Sequence, residues 1–280
     1  MSETTAGAYP VGPRPPPWGW PIALDFSLSA ASAGTFAMAA VARLFGGRAF
    51  EWTVDAAAML ALPLVTCSLA LLVYDLGRPA RFFRMLLAFN PTSPMSWGSW
   101  LLTIYAGLCA ALLGATVLRP WPDARVALLA AGLPFALAVL AYKGILLHAT
   151  EVAVWRRGVL FAPALLCGGL ALGVALLIVV AAAAGRSAPA LTTPLLALAL
   201  GQAAAVALQA RRLGRDGFTL LLARAAAVYW ICGAALAIAL AMLGAALPAA
   251  LATIAGGVAL RRALVDAPRA RERWSVGASR

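Results

Sequence analysis

Charged residues are scarce in this chain. Only 11% of its 280 residues are Asp, Glu, Lys or Arg, whereas 63% are hydrophobic and the mean hydropathy is +0.90. Soluble domains carry about 25% charged residues. Because the charges that keep a surface in water are missing, the composition excludes a soluble globular protein and predicts that most of the surface faces lipid.

Histidine and cysteine are also rare. His148 is the only histidine, and a b-type haem held between two helices takes two axial histidines, so we predict no haem. The cysteines lie in four different apolar runs and no two have CxxC spacing: Cys67, Cys109, Cys167 and Cys232. We therefore predict no iron–sulfur or zinc site in this chain, and we interpret the cysteines as small apolar packing residues.

Two motifs are missing as well. There is no phosphate-binding glycine loop, which disfavours an ATP-driven pump. Residues 1–21 have no basic segment before an apolar run and are instead rich in proline and glycine, so a cleavable signal is not predicted. We divide the chain into a Pro-rich tail (1–21), a transmembrane domain (22–265) and a basic C-terminal tail (266–280).

Long apolar runs dominate what is present. Runs of about 20 residues are long enough to cross a bilayer as helices. They predict an all-α integral membrane protein with eight transmembrane helices, at 22–43, 54–75, 97–118, 126–148, 159–184, 190–210, 220–243 and 246–264. The tight connection at 244–248 predicts that the last two helices form an antiparallel hairpin.

The basic residues are distributed unevenly between the two sides of such a topology. Sixteen cations, Arg261 among them, fall on the side of the two termini, against five on the other side. Basic loops stay in the cytoplasm, so both termini are predicted to be cytoplasmic in a bacterial plasma membrane. The net charge of +12 is then a topology signal, and because it is spread over loops it does not favour nucleic-acid binding.

Polar residues within the apolar runs lie mainly in one half of the membrane. Charges there are costly and call for a reason. The predicted topology brings the following residues to the terminal side: Asp25, Ser29, Asp75, Tyr142, Lys143, His148 and Glu151.

Two interpretations of these residues remain open. In the first they are structural: Asp25 pairs with Lys143 or Lys143 snorkels, Asp75 pairs with Arg78, Glu151 pairs with a loop arginine, and His148 is interfacial. In the second they form a site where Asp25, His148 and Glu151 exchange protons, while Tyr142, Lys143 and Ser29 hold a small polar head group. A quinone fits the second interpretation, because its oxygens need donors, its redox chemistry moves two protons and its tail needs apolar walls.

The connection at 76–96 between the second and third runs is unusually rich in specific chemistry. Arg78, Arg81 and Arg84 recur every three residues, and residues 80–89 suit a short helix in the membrane interface. This segment is either an amphipathic anchor or, with Asp75, a surface whose arginines bind carboxylates of a partner subunit.

The same segment resembles a known family. Asp75-Leu-Gly-Arg-Pro-Ala-Arg-Phe, followed by Pro91-Thr-Ser-Pro-Met-Ser-Trp-Gly-Ser-Trp100, is similar to the signature of the NrfD/PsrC family, the integral membrane subunits of polysulfide-reductase-type complexes. Weaker similarity covers Trp18-Gly-Trp20-Pro-Ile and the stretch from Tyr142 to Trp155. The later spans match only in hydropathy and number.

The resemblance implies two four-helix bundles and a haem-free quinone site for menaquinone or ubiquinone. It also implies an iron–sulfur, ferredoxin-like partner and a molybdopterin or other catalytic subunit. Tyr142 matches the family's tyrosine in span four. In span one the family often has an acidic residue where this chain has Pro21, and Asp25 is expected in its place.

These expectations lead to a quinone-reactive membrane anchor that is not catalytic alone. One alternative is a secondary transporter or ion-translocating subunit, which predicts internal repeats with broken helices, and no convincing repeat relates the two halves of the chain. Another is a structural anchor whose quinone site is lost.

Overall fold

A computed structural model describes residues 18–75, 87–118, 122–150, 152–214 and 224–277. All regular secondary structure in these ranges is helical. The α-helices are α1 (Trp20–Gly46), α2 (Glu51–Asp75), α3 (Pro94–Leu118), α4 (Pro122–His148), α5 (Ala153–Arg156), α6 (Phe161–Ala183), α7 (Thr192–Leu213), α8 (Arg224–Val228), α9 (Ala237–Met242) and α10 (Ala246–Gly277). Short 3-10 turns precede α2 (Gly47–Phe50) and α7 (Pro189–Leu191), and a π-helix (Tyr229–Leu236) joins α8 to α9.

Within the described ranges, seven segments are long and apolar enough to cross a membrane. They are Trp20–Asp75, Pro94–Leu118, Asp123–His148, Phe161–Ala183, Pro189–Leu213, Arg224–Met242 and Ala246–Pro268. The predicted multi-pass, all-helical membrane protein is therefore confirmed. The helix that begins at Ala246 continues to Gly277, well into the residues assigned from sequence to the basic tail.

The first of these segments, 56 residues long, contains both α1 and α2. Their contacts show an antiparallel hairpin. Ser32 Oγ donates to the carbonyl of Ala61 over 2.7 Å, while Ser68 Oγ donates to the carboxylate of Asp25. As the residue number rises along α1, the number of its partner on α2 falls, which brings the start of α1 beside the end of α2.

Glycine lets α1 and α6 approach closely. A Cβ atom on Gly34 would lie 1.9 Å from the carbonyl oxygen of Gly169, and one on Gly173 would lie 2.0 Å from the carbonyl carbon of Gly34. Small residues at such crossings allow backbones to touch where lipid provides no hydrophobic driving force. The α1 helix is thereby held in the interior of the protein.

The last two membrane segments form the predicted hairpin. Gly244 adopts a φ of 74° in the short turn between Met242 and Ala246. A Cβ atom on Gly256 would lie 2.1 Å from the Cα atom of Gly233, so the π-helix and α10 also cross in close contact.

An ion network fixes the end of the bundle where α1 turns into α2. Arg43 Nε lies 2.5 Å from Glu51, and Arg125 of α4 reaches Glu51 at 3.2 Å and Asp55 at 2.5 Å. Because α4 begins at this end, its carboxyl-terminal half lies at the opposite end. That end also holds the start of α1 and the end of α2.

Candidate functional site

A buried ion pair joins α1 to α4. Lys143 Nζ lies 2.6 Å from Asp25 Oδ2, and the two residues are 6% and 1% exposed. The same ammonium lies 4.8 Å from the ring centroid of Phe26. Buried charges need partners because desolvation is costly, and here each charge has one. The pairing of Asp25 with Lys143, one of the two interpretations from sequence, is confirmed.

The second carboxylate oxygen of Asp25 is bonded by α2. Ser68, fully buried, donates its hydroxyl to Oδ1. Ser29 lies one turn along α1 from Asp25 but donates instead to the backbone carbonyl of Asp25, over 2.7 Å. The carboxylate is thus held from both sides, by a serine of α2 and the lysine of α4.

A cavity of about 100 Å³ opens beside this pair. Several times the space of one water molecule is available. Most of the wall is apolar, and the ionisable side chains that line it are Asp25, Asp75, Tyr142 and Lys143. The remaining lining residues are Trp18, Ile22, Phe26, Leu72, Met95, Gly98, Ser99, Leu102 and Leu146. A polar end with an apolar wall suits a ligand with a polar head and an apolar body.

Tyr142 is positioned by α3. Its hydroxyl donates to the carbonyl of Pro94 over 2.8 Å, and its ring lies against Gly98. A Cβ atom on Gly98 would lie 2.1 Å from the Tyr142 hydroxyl oxygen, so a larger residue would displace this ring. The glycine of the Trp-Gly-Ser-Trp motif therefore makes room for the tyrosine at the cavity.

Aromatic rings close the cavity on the side of the chain start. Trp18 stacks on Trp155 with ring centroids 4.7 Å apart and an interplanar angle of 23°, and its edge contacts Phe26 at 6.4 Å. The Trp155 indole N–H donates to the carbonyl of Leu264 over 2.9 Å. The stack links the residues before α1 to α5 and α10.

A second, more open cavity of about 510 Å³ lies on a neighbouring face of α3. It is lined by Phe89, Trp97, Trp100, Leu101, Ile104 and Phe135 and is almost entirely apolar. Trp97 donates its indole N–H to the carbonyl of Pro91, and Phe89 packs edge-on against Trp97 at 4.9 Å. The two tryptophans of the motif thus form an aromatic surface next to the site, as expected of interface anchors.

The structure brings together only some of the residues singled out from sequence. Asp25, Asp75, Tyr142 and Lys143 surround one cavity. Ser29 is buried behind the Asp25 backbone, and His148 is exposed at the end of α4 away from the cavity lining. Glu151, Arg78, Arg81 and Arg84 lie outside the described residues, as does most of the predicted interfacial helix.

Sequence reasoning missed three contributors. Ser68 and Phe26 carry no motif, and only the helix pairing shows that they contact the ion pair. Arg261 was counted among the cations of the terminal side, but it is 1% exposed within α10, where its Nε donates to the carbonyl of Phe26 over 3.1 Å. That assignment is corrected: an arginine near a helix end usually reaches water, and the hydropathy pattern does not reveal that neighbouring helices enclose this one.

Comparisons with known proteins agree with these features. The sequence matches the family described as polysulphide reductase, NrfD, over residues 10–248. It is also similar to the C subunit of polysulfide reductase from Wolinella succinogenes, with 33% identity over 91 residues. That alignment covers 31% of this protein and 29% of the relative.

Proposed function

The protein belongs to the NrfD family of membrane subunits, and from this premise we propose that it is the quinone-reactive anchor of a multi-subunit oxidoreductase. Electrons would pass between the membrane quinone pool and an iron–sulfur partner subunit. The observation that carries the proposal is the cavity where the Asp25–Lys143 pair and Tyr142 meet an apolar wall.

The residues present fit a quinone head group. The Lys143 ammonium has three N–H donors, of which Asp25 uses one. The Tyr142 oxygen donates to Pro94 and keeps lone pairs that can accept. Leu72, Met95 and the other apolar lining residues would contact the ring, and the tail would leave toward lipid.

Quinol oxidation releases two electrons and two protons, and quinone reduction takes up the same number. The electrons go to or come from the iron–sulfur partner, so this protein has to move the protons. Asp25 is the buried carboxylate at the cavity, and Asp75 is an exposed carboxylate lining the same cavity. A proton can therefore exchange between a group at the head of the ligand and water through these two residues. The further roles of His148 and Glu151 in proton exchange, and of Ser29 in binding, stay predictions.

We place the docking surface for the iron–sulfur subunit at the same end of the protein. Asp75 and the exposed tryptophan Trp97 flank the connection that carries Arg78, Arg81 and Arg84. Arginines bind carboxylates of a partner in bidentate geometry. A partner bound there would bring its cluster close to the cavity. The name of the Wolinella relative, a subunit of polysulfide reductase, supports membership in a complex that also contains a molybdopterin or other catalytic subunit.

Eight crossings in two four-helix bundles are part of this proposal. The hairpin of α1 and α2 supports two crossings within Trp20–Asp75, because helices of 27 and 25 residues span about 40 Å each. One hydrophobic cluster is formed almost entirely by α1 to α4, as a first bundle requires. The excess of cations on the terminal side supports cytoplasmic termini in a bacterial plasma membrane.

The test compares two tyrosines in the purified complex. Tyr142→Phe removes a hydroxyl at the cavity, whereas Tyr74→Phe removes one from an exposed tyrosine outside its lining. We expect Tyr142→Phe to lower quinol turnover and quinone-analogue affinity about 10-fold, since a lost hydrogen bond costs about 1.5 kcal/mol. Tyr74→Phe should leave both unchanged. Asp25→Asn should also slow turnover while the partner subunits still co-purify.

Three results would contradict the proposal. One is a purified complex without an iron–sulfur protein and without quinol-dependent electron transfer. Another is normal turnover in both Tyr142→Phe and Asp25→Asn, which would show that the site lies elsewhere. The third is a complex that assembles with its partners but binds no quinone analogue, which is the behaviour of a structural anchor whose site is lost.

A further inference from the structure

Three charged side chains are buried among the described residues, and all three contact or adjoin Phe26. Two are the paired Asp25 and Lys143; the third is Arg261 of α10. Arg261 donates through Nε to the carbonyl of Phe26 over 3.1 Å and through Nη1 to the carbonyl of Gly257 over 2.9 Å. Its Nη2 has no hydrogen-bond partner in the part of the chain that the structure describes. Since both acceptors are neutral, no carboxylate within the described residues offsets this guanidinium charge.

Arg261 lies behind the wall of the candidate site. Phe26 and Lys143 line the cavity of about 100 Å³, and both also line a small enclosed cavity of about 10 Å³ whose other side is formed by Arg261. The guanidinium therefore does not line the larger cavity. Its charge acts on that cavity through one layer of side chains.

The charges around the site do not cancel. Facing it are Asp25 from α1, Asp75 from α2, Tyr142 and Lys143 from α4, and Arg261 from α10, with Tyr229 of the π-helix near Arg261. Asp75 is exposed, so solvent screens it more than the buried groups. Inside, two cations face one carboxylate. A buried cation without a counter-charge is costly, and an anion bound nearby would supply that charge.

Resting on the proposed function, we propose that Arg261 is a specificity-determining residue that makes the cavity prefer ligands whose head group is an anion over neutral ligands of the same shape. Two unit charges about 10 Å apart at an effective dielectric of about 20 change an affinity on the order of tenfold. The residue acts through Phe26 and Lys143, so it is a positioning residue and not a catalytic one.

The experiment measures binding to the purified complex and does not depend on turnover. The two probes are a hydroxynaphthoquinone that is an anion at neutral pH and its neutral methyl ether. We expect the wild-type protein to bind the anion about tenfold more tightly than the ether. Arg261→Gln should abolish this preference and change the affinity for the ether less than about twofold, while Arg261→Lys should keep the preference. Arg262→Gln is the matched control, because Arg262 is 39% exposed and pairs with Asp266 on its own helix.

Different failures have different meanings. Equal affinities for the two probes in the wild-type protein, or a preference that survives in Arg261→Gln, would overturn the role of Arg261 and leave the quinone site standing, because the ether still binds. Loss of the preference in Arg261→Lys would overturn the role of its charge. Binding of neither probe by the wild-type protein would refute the proposed function itself.

The wild-type protein provides a second measurement if Arg261→Gln does not fold. Lowering the pH protonates the hydroxynaphthoquinone and should remove its advantage, while the affinity for the ether stays constant. An advantage that persists for the protonated probe would show that shape, and not charge, is selected.

Discussion

The buried pair of Asp25 and Lys143 permits a quantitative prediction for Lys143→Met, which keeps the length of the side chain and removes its charge. At the observed N–O distance of 2.6 Å, the attraction is about 6 kcal/mol for an effective dielectric of about 20. Desolvation of both groups offsets much of this, so the pair adds little net stability. Loss of one partner is different, because it leaves a carboxylate buried with only Ser68 beside it. We expect the free energy of unfolding to fall by about 3–5 kcal/mol.

The assay is reversible unfolding in mixed detergent micelles, arranged as a double-mutant cycle with Asp25→Asn. The double variant should recover most of the stability lost by Lys143→Met, because no uncompensated charge then remains. Arg262→Met serves as the control: it breaks a partly exposed pair with Asp266 and should cost under about 1 kcal/mol. A loss below about 1 kcal/mol for Lys143→Met, or strict additivity in the cycle, would refute the conclusion that the two charges depend on each other in a dry site.

Two further predictions concern the neighbours of this pair. Gly98→Ala should push the Tyr142 ring away and lower quinone-analogue affinity about as much as loss of the hydroxyl does, whereas Gly107→Ala, where an added Cβ meets nothing within 4 Å, should bind the analogue normally; equal affinities in the two variants would show that the ring does not contact the ligand. Ser68→Ala should lower the free energy of unfolding by about 1.5–3 kcal/mol, because a hydrogen bond to a buried charged group is lost, and an unchanged unfolding curve would mean that water replaces the hydroxyl beside Asp25.

Much of the fold could be predicted because lipid imposes a simple rule on sequence. Each helix that crosses the membrane must satisfy its backbone internally and present apolar side chains, so hydropathy alone locates it. The ends were less predictable. The helix beginning at Ala246 runs on to Gly277, because helix formation depends on propensity and packing and does not stop where hydropathy falls. The π-helix at Tyr229–Leu236 had no signal in the apolar pattern, which is the same for both helix types.

The candidate site was partly predictable for a related reason. Asp25, Asp75, Tyr142 and Lys143 stand out because polar groups are rare and costly in apolar runs, and the direction of each span places them at one end. Ser68 and Gly98 do not stand out, since serine and glycine are common in membrane helices and serve many packing roles. Their importance comes only from what lies opposite them.

The sequence by itself determined that this is a multi-pass helical membrane protein and that its ionisable residues gather toward one end. These are consequences of composition and of the order of apolar runs along the chain. Tertiary structure alone decided which of those residues meet, because pairing depends on how helices rotate about their axes and on which glycines let them approach. It joined Asp25 to Lys143 and Ser68, left His148 exposed, and enclosed Arg261 beside Phe26. The physical reason is that burial and partnership of a charge are properties of several helices together.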